Sequence, residues 1–427
     1  MNIEPFRKKS KKINEKISCI GFNQDYSFAH VGYKNGYQLI KTSTLETIET
    51  KETDYSIEMF STLYSSSLII LRSENGLNLN IIRRSNQKNK EEEEEQEQKE
   101  EQEQEEEKEK VQEQEKEQEQ VKEVKEKKEK KEEKEEKEEK EEQKEQKEVK
   151  EVKEEKEQKE QKEQKEQKEQ KEQKEEQQKE EAEEKVDDLI CKLEFEEPII
   201  NITQNCKYLV VSTETKICIY LFENLTKGCF RTYDVKSPNG VMALSSSERS
   251  FLAFSEKNGE ITVRSLDDDQ VIKNFTAHHS PISQITISQN GSLLATVSVV
   301  GKNVKVFDLD NEKEQPILFE FVRGKSQATS YGLCFSHDGA YLALTSDRGT
   351  GHIFCLQKTS RFSGVFLSVG SFAKIKLLKK VPAICAFSSQ NPDQILVLSS
   401  TGTLSIYKID FKKGGDCKNI KTIELFH

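Results

Sequence analysis

The chain has 427 residues, 79 acidic and 67 basic, for a net charge of −12, and that average hides two unlike polymers. From Lys90 to Lys185, 96 residues comprise 45 Glu, 27 Lys, 18 Gln, five Val and one Ala, which leaves 40 basic and 34 acidic groups, a net of +6, on the other 331. Such a tract has too little apolar surface to offset the entropy of ordering, so a core of its own is excluded; the remainder is long enough for one repeat-built domain or two ordinary ones.

At the amino terminus, Met1 to Lys16 offers no apolar signal-peptide stretch. No later window approaches the roughly 18 apolar residues of a membrane span, so a soluble, cytosolic protein is expected. The nine cysteines form no CxxC pair and fall mostly within apolar strand-like runs. That usage predicts buried thiols in a reducing compartment, not a disulfide framework or a zinc site.

Outside the tract the pattern is short apolar runs rich in Ile, Val, Leu, Phe and Tyr, bounded by Gly, Asn, Asp and Ser, which predicts β-strands. A turn-then-strand unit recurs: KNGYQLI around Gly36, ENGLNLNII around Gly76, KNGEITV around Gly259, VGKNVKVF around Gly301, RGTGHIF around Gly349 and STGTLSIY around Gly402, with TETKICIY as a glycine-free relative. Successive glycines are 40, 42, 48 and 53 residues apart, and the gap of 183 from Gly76 to Gly259 falls to 87, two repeats, once the tract is removed. Seven such units predict an all-β, seven-bladed β-propeller. About fifteen residues before the glycine, polar turns such as QDYSFAHV, QNGSLLATV and HDGAYLALT predict the hairpin joining the inner two strands of a blade.

With no Trp anywhere, the chain lacks the WD dipeptide of well-formed WD40 arrays. The expected organisation is blade one and part of blade two in 1–89, the tract in 90–185, and the rest of blade two with blades three to seven in 186–427. The tract then sits between LNLNIIRR and DDLICKLEF, the expected third and fourth strands of blade two. Loop-closure entropy grows slowly with length, so a surface hairpin tolerates such an insertion. Its period-three repeats, EEKEEKEEK and KEQKEQKEQ, drift around a 3.6-residue helix and carry no heptad, which predicts a disordered or partly helical spacer and no coiled coil.

Enzyme signatures are missing: there is no P-loop, GxSxG or HExxH, and no histidine or cysteine pair at metal spacing. No catalytic residue, metal or cofactor is therefore expected. His30 lies in a strand-like run, His427 ends the chain, and Asp267, Asp268 and Asp269 are expected in a solvated turn between blades. One region differs. In FEFVRGKSQATSYGLCFSHDGAYLALTSDRGTGHIFCL, Arg323 and His352 would converge from adjacent blades with the hydroxyls of Ser346 and Thr350. Together they would supply a phosphate with paired donors, a titratable cation and room for close approach. The residues equally fit a hydrogen-bond network internal to a blade.

This stretch resembles the diagnostic segment of the PROPPINs, β-propellers that bind polyphosphoinositides, in which an F/L-R-R-G motif precedes a blade ending in a phrase like SSDKGTVHIF. GFNQDYSFAHVGYKNG, AHHSPISQITISQNGSLLATVS, SFAKIKL followed by PAICAF, and GGDC match in order, so the resemblance spans all seven blades. It is closest to the small-propeller subgroup of the WD-repeat phosphoinositide-interacting proteins. The resemblance implies two lipid headgroup sites at the rim of blades five and six. The one built on the second arginine is preserved as Arg323, Gly324, Ser346, Thr350 and His352. The other is degenerate: Val322 replaces its arginine, Lys302 a threonine and Lys305 an arginine, while His278, Thr296, Ser298 and Gly301 fit. Lysine keeps the charge without the planar fork, and valine keeps neither. The family also inserts a blade-six loop into the bilayer, which here would be QKTSRFSGVFLSVG with Phe362, Val365, Phe366 and Leu367; strand packing is the competing role of those residues.

The implied function is a non-enzymatic effector of autophagosome formation. It would recognise phosphatidylinositol 3-phosphate, with the 3,5-bisphosphate as a second candidate, on preautophagosomal or endosomal membranes, binding there peripherally as a monomer. It would recruit the bridge-like lipid-transfer protein of autophagy and no nucleic acid. The alternative is a protein-only propeller scaffold that has lost lipid binding with its first arginine.

Overall fold

Side chains alternate across a strand, so a run buried on both faces reads as continuously apolar, and the runs Tyr208–Ser212 and Phe251–Ser255 are buried at every position. In the computed structural model, which describes residues 17–64, 66–84, 189–235, 240–246, 248–312, 317–356 and 370–425, such runs assemble into seven antiparallel sheets. These are blades one to seven, spanning 17–52, 57–194, 201–234, 242–276, 282–322, 330–376 and 383–424. In each, the strands step outward in chain order, and the first strands stand side by side around the ring. The expected seven-bladed propeller is therefore the observed fold.

Cores lie between blades, not within them. Phe275 of blade four and Phe307 of blade five meet with ring centroids 4.6 Å apart. On the opposite face of blade five, Val304, Val306 and Phe321 pack on Leu344 and Phe354 of blade six, and the Phe321 and Phe354 rings stack at 4.8 Å. The inner strands line a central cavity of about 370 Å³ bordered by amides such as Asn23, Gln24, Gln204 and Gln284.

The recurring glycine has a steric cause. At the turn between the second and third strands, Gly301 and Gly349 take φ of +62° and +75°, where side chains are strained. A Cβ on Gly301 would stand 2.0 Å from the carbonyl oxygen of Ala328, because the turn tucks under the linker leaving the blade.

Blade two is built across the long insertion. Its third strand, Asn78–Arg83, pairs with its fourth, Leu189–Glu194, with Ile81 opposite Cys191. The described residues on either side of the insertion, through Arg84 and from Leu189, belong to one compact unit; the Glu/Lys/Gln tract lies outside the described residues.

All four strands of blade seven come from the carboxy-terminal part of the chain, and the ring closes by packing of Ala29, Val31 and Ile40 of blade one on Leu396, Leu398 and Leu404. Before its last strand, blade seven sends a strap to blade six: Gly415–Asp416 runs parallel to Ala373–Lys376. The Gly415 N–H donates to Phe372 O at 3.0 Å and the Cys417 N–H to Lys374 O at 2.8 Å. The GGDC phrase is this strap.

Two expectations need correction. Asp267, Asp268 and Asp269 lie within blade four, between strands Glu260–Ser265 and Val271–Thr276, not between blades. Asp269 is also no idle solvated group: it accepts from the Tyr233 hydroxyl at 2.6 Å and Arg264 Nη2 at 3.1 Å. The nine cysteines are all free, but only Cys334 and Cys385 are buried, while Cys206 and Cys229 are exposed.

Candidate functional site

Adjacent residues of a strand project to opposite faces, and the end of blade five shows the consequence. Phe321 faces blade six, so Val322 projects toward blade four and Arg323, just past the strand, returns to the blade-six side. Two neighbouring sequence positions thus serve two different clefts.

The cleft between blades five and six gathers most of the residues expected there. Ser346 ends the second strand of blade six, and Thr350 and His352 lie on its third, on the face that carries Leu344 and Phe354 toward blade five. Arg323 is only 8% exposed. Its Nε–H donates to Gly301 O at 2.5 Å, its Nη2 to the carbonyl of Ser326, and its backbone N–H to Lys302 O at 2.8 Å. A guanidinium has five N–H groups, so this fixes its plane and leaves the Nη1 edge for a ligand. Gly324 is partly exposed, with no atom within 4 Å of where a Cβ would be, so its part is room rather than contact.

Around that edge the cleft holds polar groups without protein partners. The Oγ atoms of Ser346 and of Ser330, its directly opposed neighbour, are buried and unsatisfied. Buried hydroxyls ordinarily find a partner, so two opposed and unpartnered ones mark a place where water or an anion would be satisfied. Arg348 lies near enough to lower the pKa of Arg323 further once burial has done so, with Asp347 acting the other way.

His352 departs from its expected role. Burial first, then Arg323 and Lys374, push it down to about 4, so at neutral pH it is an uncharged imidazole whose Nδ1 lies 3.1 Å from Ser371 Oγ. The titratable cation expected there is instead a neutral hydrogen-bonding group, because burial, and then the charges of Arg323 and Lys374, disfavour its protonation.

Ser330, Arg348, Ser371 and Lys374 were not singled out from the sequence. Lys374 stands opposite His352 and Lys376 opposite Thr350 on the outermost strand. The A-K-I-K alternation was the available signal, but its register across a long connection was not readable.

The cleft between blades four and five is differently equipped. His278, 7% exposed, approaches Thr296 Oγ1 at 2.9 Å and is pushed down to about 4 by burial, then Lys305, then His279. Lys305 Nζ is engaged by Ala277 O at 2.9 Å and stands opposite Glu320, whose carboxylate also accepts from Asn303 Nδ2 at 2.7 Å. Ser298 is buried, its carbonyl accepting the Gly301 N–H at 2.8 Å. Lys302 is exposed, and half-buried Val322 offers no donor. The structure therefore brings His278, Thr296 and Lys305 together without a guanidinium and places an acid among them. Phe362, Val365, Phe366 and Leu367 fall in the connection 357–369, outside the described residues.

These features define a seven-bladed propeller whose cation-rich pocket sits at the rim between blades, not in the central channel. A family model described as PROPPIN matches residues 174–365. Autophagy-related protein 18 of Dictyostelium discoideum is 31% identical over 276 residues, covering 55% of this chain and 73% of that protein. WD repeat domain phosphoinositide-interacting protein 1 of Homo sapiens is 28% identical, covering 55% and 60%. Among solved structures, Kluyveromyces marxianus Hsv2 superposes with a TM-score of 0.63 at 14% identity, covering 97% of this chain and all of that one. A complex of an Atg21 with a coiled coil of Atg16 superposes at 0.65 and 18% identity, covering 96% and 99%. The chain belongs to the PROPPIN family.

Proposed function

We propose that this protein is a non-enzymatic effector that binds phosphatidylinositol 3-phosphate through the cleft between blades five and six, with the 3,5-bisphosphate as a second ligand. The observation that carries this reading is Arg323, clamped by two backbone carbonyls on the side of blade five that packs on blade six, where Ser330 and Ser346 carry unpartnered hydroxyls and Arg348 and Lys374 add charge. A phosphate monoester matches that set: charge-assisted donors from the guanidinium and neutral donors from Ser346, Thr350 and His352, while Asp347 is paired by Arg348 at 3.7 Å and Asp416 stands opposite Lys374 on the strap. The blade four–five cleft, lacking a guanidinium and holding Glu320, is the weakened site. Docking would add the apolar Phe362, Val365, Phe366 and Leu367 of the blade-six connection.

The names of the relatives, phosphoinositide-interacting and autophagy-related, support placing the protein peripherally on preautophagosomal or endosomal membranes. There it recruits a partner, the bridge-like lipid-transfer protein of autophagy, through blades away from the bilayer. One observation favours a scaffold without lipid: Val322, which disables one of two clefts and with it the gain from engaging two headgroups at once.

Vesicle co-sedimentation with phosphatidylinositol 3-phosphate, comparing the intact chain with Arg323→Ala, separates the two readings. Loss of about 2 kcal/mol or more of binding on substitution, the cost of a hydrogen-bonded charge, supports the lipid effector. An intact chain that stays in the supernatant at low salt supports the scaffold.

A further inference from the structure

The headgroup cleft is flanked by a feature that its chemistry does not use. After the outer strand of blade six, residues 377–380 form a turn clasped to the 346–350 turn: the Leu377 N–H donates to Gly349 O and the Lys380 N–H to Asp347 O, both at 2.9 Å. Lys380 sits at φ +60°, and a Cβ on Gly349 would come within 2.7 Å of Lys379 Cγ, so the two turns are fitted to each other. At the tip, Leu378 is 67% exposed, the most exposed large apolar side chain among the described residues.

A single exposed leucine is ordinary on a protein surface. This one is held on the rim beside the cleft and ringed by cations. Lys374, Lys376, Lys379 and Lys380 are all exposed, while Ala373 and Ile375 turn the other face of the strand into the blade-seven core. No acid occurs between Ser371 and Lys380, the neighbouring Asp347 is already engaged by Arg348 and the Thr329 N–H, and Asp416 of the strap stands opposite Lys374, away from Lys376, Lys379 and Lys380 in register. Apolar tips among lysines suit the boundary between headgroups and acyl chains, where the lysines attract anionic lipid and the tip leaves water.

We infer that the 377–380 turn is a bilayer contact, with Leu378 entering the interface of an anionic leaflet and Lys376, Lys379 and Lys380 neutralising lipid phosphates around the occupied cleft. The inference rests on the lipid reading of that cleft and adds an element that does not touch the headgroup. It predicts a preference for membranes carrying general anionic lipid in addition to the phosphoinositide.

The chain contains no tryptophan, so Leu378→Trp makes the turn its own reporter. Full-length protein is mixed with phosphatidylcholine vesicles containing phosphatidylinositol 3-phosphate, with or without phosphatidylserine. The expected result is a blue shift of the new emission on binding and quenching by lipids brominated in the acyl chains. Leu378→Glu should weaken vesicle binding about tenfold, and Lys379→Ala and Lys380→Ala about fivefold each, with the phosphatidylserine dependence flattened. Binding of soluble inositol 1,3-bisphosphate should be unchanged in all of them. Vesicle binding with no emission shift and no effect of Leu378→Glu overturns this inference and leaves the headgroup cleft intact. Equal loss for vesicles and soluble headgroup overturns it too, by making the turn a brace of the cleft. No binding to any phosphoinositide vesicle overturns both readings.

Discussion

Lowering the pH from about 7 to about 5 protonates the histidines of an unfolded chain, whose ordinary value is near 6.5, but not three of those in the folded propeller. Burial holds His30 at about 3, with a hydrogen bond donated to the Phe60 backbone opposing it, and His278 and His352 at about 4 with help from neighbouring cations. A base whose folded pKa is depressed contributes stability that is whole above its unfolded pKa and drains away as pH falls toward the folded one. The window for His278 and His352 is therefore about 6.5 down to about 4, and for His30 it extends to about 3. At about pH 5 each imidazole should have lost roughly 2 kcal/mol, and the three together about 6 kcal/mol, near the low end of the total stability of a typical domain. Urea unfolding followed by circular dichroism at stepped pH measures the loss, and His352→Asn should remove about a third of it. An anion in the blade five–six cleft favours protonated His352, so inositol phosphate should blunt the loss further. Titration of His30, His278 or His352 near 6.5 in the folded protein, or a His352→Asn variant as acid-labile as the parent, would refute the argument.

Three other outcomes follow from the geometry. Val322→Arg places a guanidinium in the blade four–five cleft beside Lys305 and His278 and should tighten binding to phosphatidylinositol 3-phosphate vesicles about tenfold through two-site engagement, with no gain for the soluble headgroup at the other cleft. Gly301→Ala forces a side chain into a left-handed turn against Ala328 O and displaces the carbonyl that clamps Arg323; it should cost about 2 kcal/mol or more in thermal unfolding and weaken vesicle binding as well. Replacing residues 85–188 by a short turn between the paired strands Asn78–Arg83 and Leu189–Glu194 should stabilise the propeller by about 2.5 kcal/mol from loop closure alone, and a destabilised product would mean that the insertion packs on the blades.

Much of this protein is written locally. A glycine turn every 40 to 53 residues, alternating or continuous apolar runs and the FVRG and TSDRGTGHIF phrases act over a few residues each, because strand period and turn conformation are short-range properties. That is why the seven blades, the strands that flank the insertion in blade two and the gathering of Arg323, Ser346, Thr350 and His352 between blades five and six were legible in advance. What only the folded ring decided depends on register and on neighbours distant in the chain. That Val322 and Arg323 open onto separate clefts follows from strand alternation at the end of blade five. The neutrality of His352 follows from its burial beside Arg323 and Lys374, brought together from three strands of two blades. The pairing of Ser330 with Ser346, the place of Lys374 opposite His352, and the GGDC strap from blade seven to blade six are cross-strand facts. A propeller buries its polar rim between separately folded sheets, so the electrostatics of that rim belong to the assembled ring and not to any one of its repeats.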